Sequence, residues 1–343
     1  MIQIEEQKSL ATYSTMRLGG KAAYLTEIHS REDLREAYEW AQQRSLSTLM
    51  IGGGSNIIWR DEGFNGLIMV NRILGYDDYV SLDSHFITVG AGEIWDTVVA
   101  RSVAAGLTGI EALSLIPGTS GATPVQNVGA YGQEISQVLT SVEVFDTTTA
   151  QFTTVPTEAC GFSYRSSKFQ TEYRDRFLIS AITLHLTSSN PLPPYYNAVE
   201  RYLSEHKLHD TVTPRVIRDA VIAIRASKLP DPATVANTGS FFANPIIGAS
   251  KFVELLAANP TMPHWPAENG HVKIPAAWLL EQSGFKNFHD DKTGMATWPT
   301  QPLVVINEHA QSTKDLLVFR DKIIAAVQTK FAITLTQEPE LLP

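Results

Sequence analysis

Residues 116–132 read Ile116-Pro-Gly-Thr-Ser-Gly-Ala-Thr-Pro-Val-Gln-Asn-Val-Gly-Ala-Tyr-Gly132, a run that is neither a good helix nor a good strand. Two prolines and four glycines among small residues break both periodicities. Such a backbone can wrap a large flat ligand and offer it N–H and C=O groups. A long structural loop is the plain alternative, although long ordered loops in compact domains are commonly functional. Upstream, Leu49-Met-Ile51 runs into Gly52-Gly-Gly-Ser-Asn56, where three glycines let the backbone approach a ligand closely enough for successive N–H groups to cradle phosphate. A tight turn is the competing reading here. The dinucleotide spacing Gly-x-Gly-x-x-Gly fails, because Ile57 stands where the third glycine belongs and no glycine-led helix follows.

Around these two segments the chain alternates helix and strand. Ser30-Arg-Glu-Asp33 has the form of a capping box, and Leu34, Ala37, Tyr38 and Ala41 follow at helical spacing. Leu67–Val70 and Phe86–Val89 read as short strands, and a helix is expected over Trp95–Ala105 with Gly106 at its C-terminal cap. Ser141–Phe145 and Phe152–Val155 flank the polar turn Asp146–Ala150, and Phe177–Leu186 alternates as a further strand. Asn190-Pro-Leu-Pro-Pro194 is the best linker in the chain. Beyond it, Thr213-Pro214 offers an N-cap and a first-turn proline to a helix whose stripe is Val216, Ile217, Ala220, Val221 and Ile224. Helices over Lys251–Ala258, Pro275–Ser283 and Ser312–Phe331 make the C-terminal third a helix-rich α/β domain.

Composition removes several classes of protein. The 343 residues, 43% of them hydrophobic, suffice for two or three domains, and no hydrophobic run exceeds five residues, so no membrane span is expected. Met1-Ile-Gln-Ile-Glu-Glu6 has neither a basic nor an apolar leader region, and a cytoplasmic protein is expected. The single Cys160 excludes an internal disulfide and a cysteine zinc site, and the nine histidines form no His-Glu-x-x-His pattern, so no metal is expected. A net charge of −9 gives no footprint for nucleic acid but leaves room for a local basic pocket. Gly118-Thr-Ser-Gly121 is not the Gly-x-Ser-x-Gly of a serine hydrolase.

Seven pieces in order carry a resemblance. They are Thr15-Met-Arg-Leu-Gly-Gly20, Gly52–Asn56, Ile116–Gly132, Tyr164-Arg-Ser-Ser167, Lys228-Leu-Pro230, Gly239-Ser-Phe-Phe-Ala-Asn-Pro245 and Glu338-Pro-Glu340. Over essentially the whole chain the sequence resembles the UDP-N-acetylenolpyruvoylglucosamine reductase family, flavoenzymes of bacterial peptidoglycan precursor synthesis. The resemblance implies an α+β protein with a vanillyl-alcohol-oxidase-like (PCMH-type) FAD-binding fold in two α/β subdomains, followed by an α/β substrate-binding domain. The implied boundaries are 1–70 and 71–190 for the FAD subdomains, 191–212 for a tyrosine loop and linker, and 213–343 for the substrate domain. It further implies a monomer that uses bound FAD and the co-substrate NADPH to convert UDP-N-acetylglucosamine enolpyruvate into UDP-N-acetylmuramate.

Site residues follow from the same resemblance. FAD would be held by Gly52, Gly53, Gly54, Ser55, Asn56, Pro117, Gly118, Thr119, Gly121, Ala122, Thr123, Asn127, Gly129 and Tyr131. Hydride addition to an enol ether conjugated with a carboxylate builds charge on an enolate, so the site wants a cation beside the carboxylate and a proton donor at the α carbon. Arg165, Ser240 and Glu340 match the family's catalytic positions, with Ser240 donating the proton and Arg165 and Glu340 stabilising the enolate. Taken alone, Arg165 reads as an ordinary ion-pair arginine, Ser240 as a turn serine and Glu340 as a solvated acid near a frayed end. Lys228, Asn244 and Gln301 match substrate positions, and Tyr196, or the adjacent Tyr195, would close over the substrate. Arg225, three residues before Lys228 and so on the same helix face, reads as added positive charge for the pocket or as a surface arginine. The departures are Ser14 for an asparagine, Ser120 for an aliphatic residue, Ala243 for a Lys or Arg, and the 288–298 stretch with its added Asp290 and Asp291; the last two bear on phosphate affinity. An alcohol or carbohydrate oxidase on the same flavin scaffold, and a flavin-binding protein without this chemistry, are the other classes considered.

Overall fold

The computed structural model describes residues 2–82 and 84–343, which divide into two compact units interleaved along the chain. The first comprises residues 1–8, 22–53 and 64–227, and the second 9–21, 54–63 and 228–343.

In the first unit, β1 (Glu5–Ser9), β2 (Lys21–Ile28), β3 (Ser47–Ile51) and β5 (Phe64–Asn71) form a sheet in the order β1-β2-β5-β3, with β5 parallel to both β2 and β3. β4 (Ile57–Trp59) lies between β3 and β5 in sequence but belongs to the second unit. Helix α1 (Arg31–Gln42) connects β2 to β3, its Ser30 hydroxyl accepting the Asp33 N–H at 3.0 Å. It buries Leu34, Ala37 and Ala41 with Ile28, Leu67 and Met69, the apolar face that its spacing foretells. A second sheet, in the order β11-β10-β12-β7-β6, is antiparallel throughout and contains β6 (Tyr76–Ser81), β7 (Ser84–Gly90), β10 (Leu139–Asp146), β11 (Gln151–Pro156) and β12 (Phe177–Thr187). Helix α2 (Trp95–Ala104) buries Trp95, Val98, Val99 and Ser102, and Gly106, at φ +77, follows its end as expected of a C-terminal cap. Between α2 and β10 the two-residue strands β8 (Gly129–Ala130) and β9 (Gln133–Glu134) pair as a small hairpin. Helices α3 (Asn197–His206) and α4 (Pro214–Lys228) pack through Val199, Leu203, Ile217, Ala220, Val221 and Ile224 against Ala112.

The second unit contains a sheet ordered β13-β19-β18-β17, from β13 (Ala236–Ser240), β17 (His289–Asp290), β18 (Met295–Trp298) and β19 (Gln301–Asn307). A smaller sheet of β14 (Ile246–Ile247), β15 (Trp265–Pro266) and β16 (Val272–Lys273) accompanies α5 (Ala249–Ala258) and α6 (Ala276–Gln282). Helix α7 (Thr313–Phe331) opens on a complete capping box between Ser312 and Asp315 and buries Leu316, Phe319, Ile323 and Val327. Each such side chain contributes roughly 1.5–3 kcal/mol by leaving water. The last strand, β20 (Glu340–Leu342), runs parallel to β4 and is ordered by it.

Candidate functional site

The first unit brings the two glycine segments together. An added Cβ at Gly52 would lie 2.3 Å from Thr119 Oγ1, one at Gly53 would lie 3.1 Å from Gly118 Cα, and one at Gly121 would lie 2.5 Å from Ala91 Cβ. A side chain at Gly52 or Gly121 would force its neighbours to shift, and one at Gly53 would be tight. Residues 118–123 are fixed from outside: Gly118 O accepts the Trp95 N–H at 3.1 Å, and the Ser120 and Gly121 N–H groups donate to Glu93 O and Ala91 O at 2.9 and 3.0 Å. Ser120 is fully buried and its hydroxyl donates to Gly90 O at 2.5 Å, which explains how a polar residue is tolerated where an aliphatic one is usual. Thr123 closes the 3₁₀ turn over Ser120–Ala122 by donating to Ser120 O at 2.7 Å. Thr119 Oγ1 is buried with no hydrogen-bond partner among the described residues, an exception that points to a missing polar neighbour.

Further along, Asn127 is held by three bonds: its Nδ2 donates to Glu134 Oε2 at 2.8 Å and to Ser163 O at 3.1 Å, and its Oδ1 accepts the Ser136 N–H at 3.2 Å. Arg165 Nη2 donates to Gly129 O at 2.7 Å, and a Cβ on Gly129 would lie 2.7 Å from Glu134 Cγ and 3.0 Å from Gln133 O, across the hairpin. Tyr131 and Gly132 form the two-residue turn of the β8–β9 hairpin with φ +49 and +88, the left-handed pair of a type I′ turn. Leu115, Asn127 and Arg165 also have positive φ, at +56, +46 and +55. Left-handed backbone is unfavourable for bulky side chains, and such strain persists where surrounding structure enforces it, commonly at functional sites. Tyr196 caps α3, is 44% exposed and meets the Tyr131 ring edge-on at 5.6 Å, whereas the Tyr195 hydroxyl donates to Pro191 O at 2.9 Å. Arg225 lies close enough to the Tyr131 hydroxyl to act on it: burial pushes that hydroxyl's pKa up, with Arg225 pulling the other way. Burial likewise lowers the pKa of Arg225, against the attraction of Tyr131 and Asp96.

In the second unit, Gly54 has φ +70 and a Cβ there would meet Tyr13 O at 2.2 Å, while Gly54 O accepts the Thr15 N–H at 3.0 Å. Ser14, the first departure, is buried and donates to Ile57 O at 2.9 Å. Glu340, which the sequence alone reads as frayed, is pinned by its N–H to Asn56 O at 2.9 Å and by pairing with Ile57. Ser55 lies within this turn, between Gly54 and Asn56. Ser240 ends β13 opposite Val304 and is exposed, lifted there by Gly239 at φ +72, whose N–H donates to Asn237 Oδ1 at 2.8 Å. Phe241 and Phe242 behind it are fully buried and anchor the turn. Asn244 Oδ1 accepts the Ala276 N–H at 2.9 Å and so holds the start of α6. Lys228 O accepts from Thr300 Oγ1 at 2.8 Å, which sets Lys228 beside Gln301, whose Oε1 is buried without a partner among the described residues. Asp290 is tied up by Lys322 at 2.8 Å and by the Lys292 N–H at 3.1 Å, its carboxyl held below the usual range chiefly by Lys322. Of the three expected catalytic residues, Arg165 is therefore in the first unit and Ser240 and Glu340 in the second. Among the described residues no group of three His, Cys, Asp or Glu could hold a metal ion.

Two family models match the chain: an FAD binding domain over residues 22–154 and the UDP-N-acetylenolpyruvoylglucosamine reductase C-terminal domain over 231–342. The UDP-N-acetylenolpyruvoylglucosamine reductase of Cupriavidus pinatubonensis is 36% identical over 342 residues, covering 100% of both chains. The chain belongs to this reductase family. UDP-N-acetylenolpyruvoylglucosamine reductases are flavin oxidoreductases, and the FAD binding domain match spans Gly52, Gly53 and Gly121. The fold is that of the UDP-N-acetylenolpyruvylglucosamine reductase of Thermus caldophilus (TM-score 0.69, 22% identity, 100% of both chains). It is shared more distantly with 6-hydroxy-D-nicotine oxidase of Arthrobacter nicotinovorans (TM-score 0.52, 10% identity, 98% of this chain and 87% of that one). The α+β architecture with a flavin fold expected for the reductase family is thus the observed one. No helix among the described residues is long and apolar enough to cross a membrane.

Proposed function

We propose that the protein catalyses NADPH-dependent reduction of UDP-N-acetylglucosamine enolpyruvate to UDP-N-acetylmuramate, within bacterial peptidoglycan precursor synthesis. The full-length identity to a reductase carries this reading. Bound FAD would supply the redox chemistry, taking hydride from NADPH and passing it to the enolpyruvyl group. The segments Gly52–Asn56 and Pro117–Tyr131 suit it: backbone without Cβ atoms approaches closely, and the buried Thr119 hydroxyl has no partner among the described residues.

In this reading the chain's own groups manage charge and protons. Arg165 places its cation beside the substrate carboxylate, where developing enolate charge is stabilised by a donor already in position, and its bond to Gly129 O fixes its aim. Glu340, on β20, stabilises the enolate together with Arg165. Ser240, exposed at the end of β13, gives its hydroxyl proton to the α carbon. Lys228, Asn244, Gln301 and Arg225 bind the UDP diphosphate and sugar, with Tyr196 as the closing residue. The FAD subdomains, the tyrosine loop and the substrate domain, a cytoplasmic location and a monomeric state belong to the same proposal.

An anaerobic visible spectrum tests it. Flavin bands that bleach with NADPH and return only on adding the enolpyruvyl sugar nucleotide support both half-reactions. Absence of flavin bands, or recovery with O₂ alone, overturns the reductase reading and leaves the oxidase or the plain flavin binder.

A further inference from the structure

Two side chains that the proposed reaction does not use form a node within the first unit. Arg218, on α4, donates from Nη1 to Asp96 Oδ1 at 2.7 Å and from Nη2 to Asp96 Oδ2 at 2.9 Å, with the side chains 12% and 26% exposed. The same guanidinium donates to Ser114 Oγ at 2.8 Å, and the same carboxylate accepts the Leu115 N–H at 2.6 Å. Leu115 is the residue that opens onto the 116–132 segment, with its backbone at φ +56. Asp96 lies in the first turn of α2, where a helix favours negative charge. Burial works against the charged carboxylate, but the bonds from Arg218 and Leu115 outweigh it and hold the carboxyl below its ordinary range.

Arg225 follows Arg218 by seven residues and therefore shares its face of α4. Its charge is felt at Tyr131, at the far end of the same segment, and at Asp96. Apolar packing of Ile217, Ala220, Val221 and Ile224 holds α4 to its neighbours, but such packing is non-directional and fixes the position of the helix along its axis only loosely. A planar fork on a carboxylate fixes direction as well as distance.

We infer that Asp96 and Arg218 are positioning residues, which lock α4 to the backbone that opens the 116–132 segment and so set Arg225 against Tyr131 for substrate binding. The inference rests on the reading above that Arg225 is a substrate residue. It places the node's effect on substrate affinity and leaves cofactor loading and the NADPH half-reaction alone, because the Gly118–Gly121 turn is held separately by Trp95, Glu93 and Ala91.

The experiment compares the holoproteins of Arg218→Met, Asp96→Asn, the double variant and Arg218→Lys. Expected are full flavin content, unchanged bleaching by NADPH, kcat within about twofold and KM for the enolpyruvyl sugar nucleotide raised roughly tenfold, within the hundredfold that a misplacement of about 1 Å can produce. The double variant should be no worse than either single one, and Arg218→Lys should recover part of the loss. An unchanged KM in Asp96→Asn and Arg218→Lys, or a loss confined to flavin content or melting temperature, overturns the inference. Should the wild-type protein not turn over this substrate, the functional reading fails by itself. Hydrogen exchange then decides: faster exchange in Asp96→Asn over both 115–131 and 218–228 supports the node, and unchanged exchange refutes it.

Discussion

Gly121 admits no side chain, because the position of its Cβ lies 2.5 Å from Ala91 Cβ and 3.0 Å from Ala91 O. Gly121→Ala is therefore expected to weaken FAD binding at least tenfold, read by flavin fluorescence on titration. Gly248→Ala is the matched control, since nothing lies within 4 Å of its Cβ position. Ser240→Ala removes a hydroxyl at an exposed strand end without opening a cavity. The expected outcome is a yellow protein still bleached by NADPH, with recovery on substrate slowed by about 10²–10⁴, the usual contribution of a placed proton donor. Stopped-flow absorbance at the flavin band checks this, and an unimpaired rate would remove Ser240 from the mechanism. Much at this scale was legible, since the glycines that meet as bare backbone are the ones whose clustering draws attention in the sequence. Asp96 and Arg218 were not legible. They are 122 residues apart, and neither stands in a motif: an acid in a first helical turn and an arginine on a half-exposed helix face are ordinary until the fold brings them together.

Among elements, the helices with strong caps were the readable ones. Ser30 accepts the N–H group that its spacing implies, Ser312 caps α7 in the same way, and the stripe from Leu316 to Val327 is buried as its periodicity requires. Ser312→Ala should destabilise the protein by about 1 kcal/mol, the ordinary cost of losing an N-cap hydroxyl, lowering the melting temperature by a few degrees in calorimetry. Phe319→Ala, at a fully buried position of the same helix, should cost about 3–5 kcal/mol in the same measurement. The strands were read less well. Over Lys21–Ile28 the buried residues Ala22, Leu25, Thr26 and Ile28 do not alternate, because β2 is an inner strand covered on both faces over part of its length, and its Lys, Ala, Leu and Glu favour helix by themselves. The short β20 owes its order to β4, a partner nearly the whole sequence away, which no local pattern can announce.

At the scale of the whole molecule, acid stability depends on carboxylates tied to cations within each unit. Asp146 is the clearest case: Arg176 donates to it at 2.7 and 3.1 Å and Thr148 from both its N–H and its hydroxyl, and together they hold the carboxyl far below its usual range despite burial. A carboxyl depressed in the folded state contributes its full stabilisation above the unfolded value near 3.9, and loses it as pH falls through the folded value. Arg176→Gln should therefore move the acid-unfolding midpoint to higher pH while leaving neutral-pH activity unchanged, as followed by far-ultraviolet circular dichroism. The division into units was the least legible feature of all, because composition marks a linker but says nothing about which distant segments share a core. That interleaving has a consequence for biosynthesis. The second unit takes strands and turns from residues 9–21 and 54–63, yet its sheets and α7 come from residues beyond 228. As the chain leaves the ribosome, the early pieces emerge long before their partners, while the first unit can close once α4 is made. Folding of the second unit therefore waits until residues up to β20 have been made. Until then β4, with its wholly buried Ile58 and Trp59, is a natural client for a chaperone.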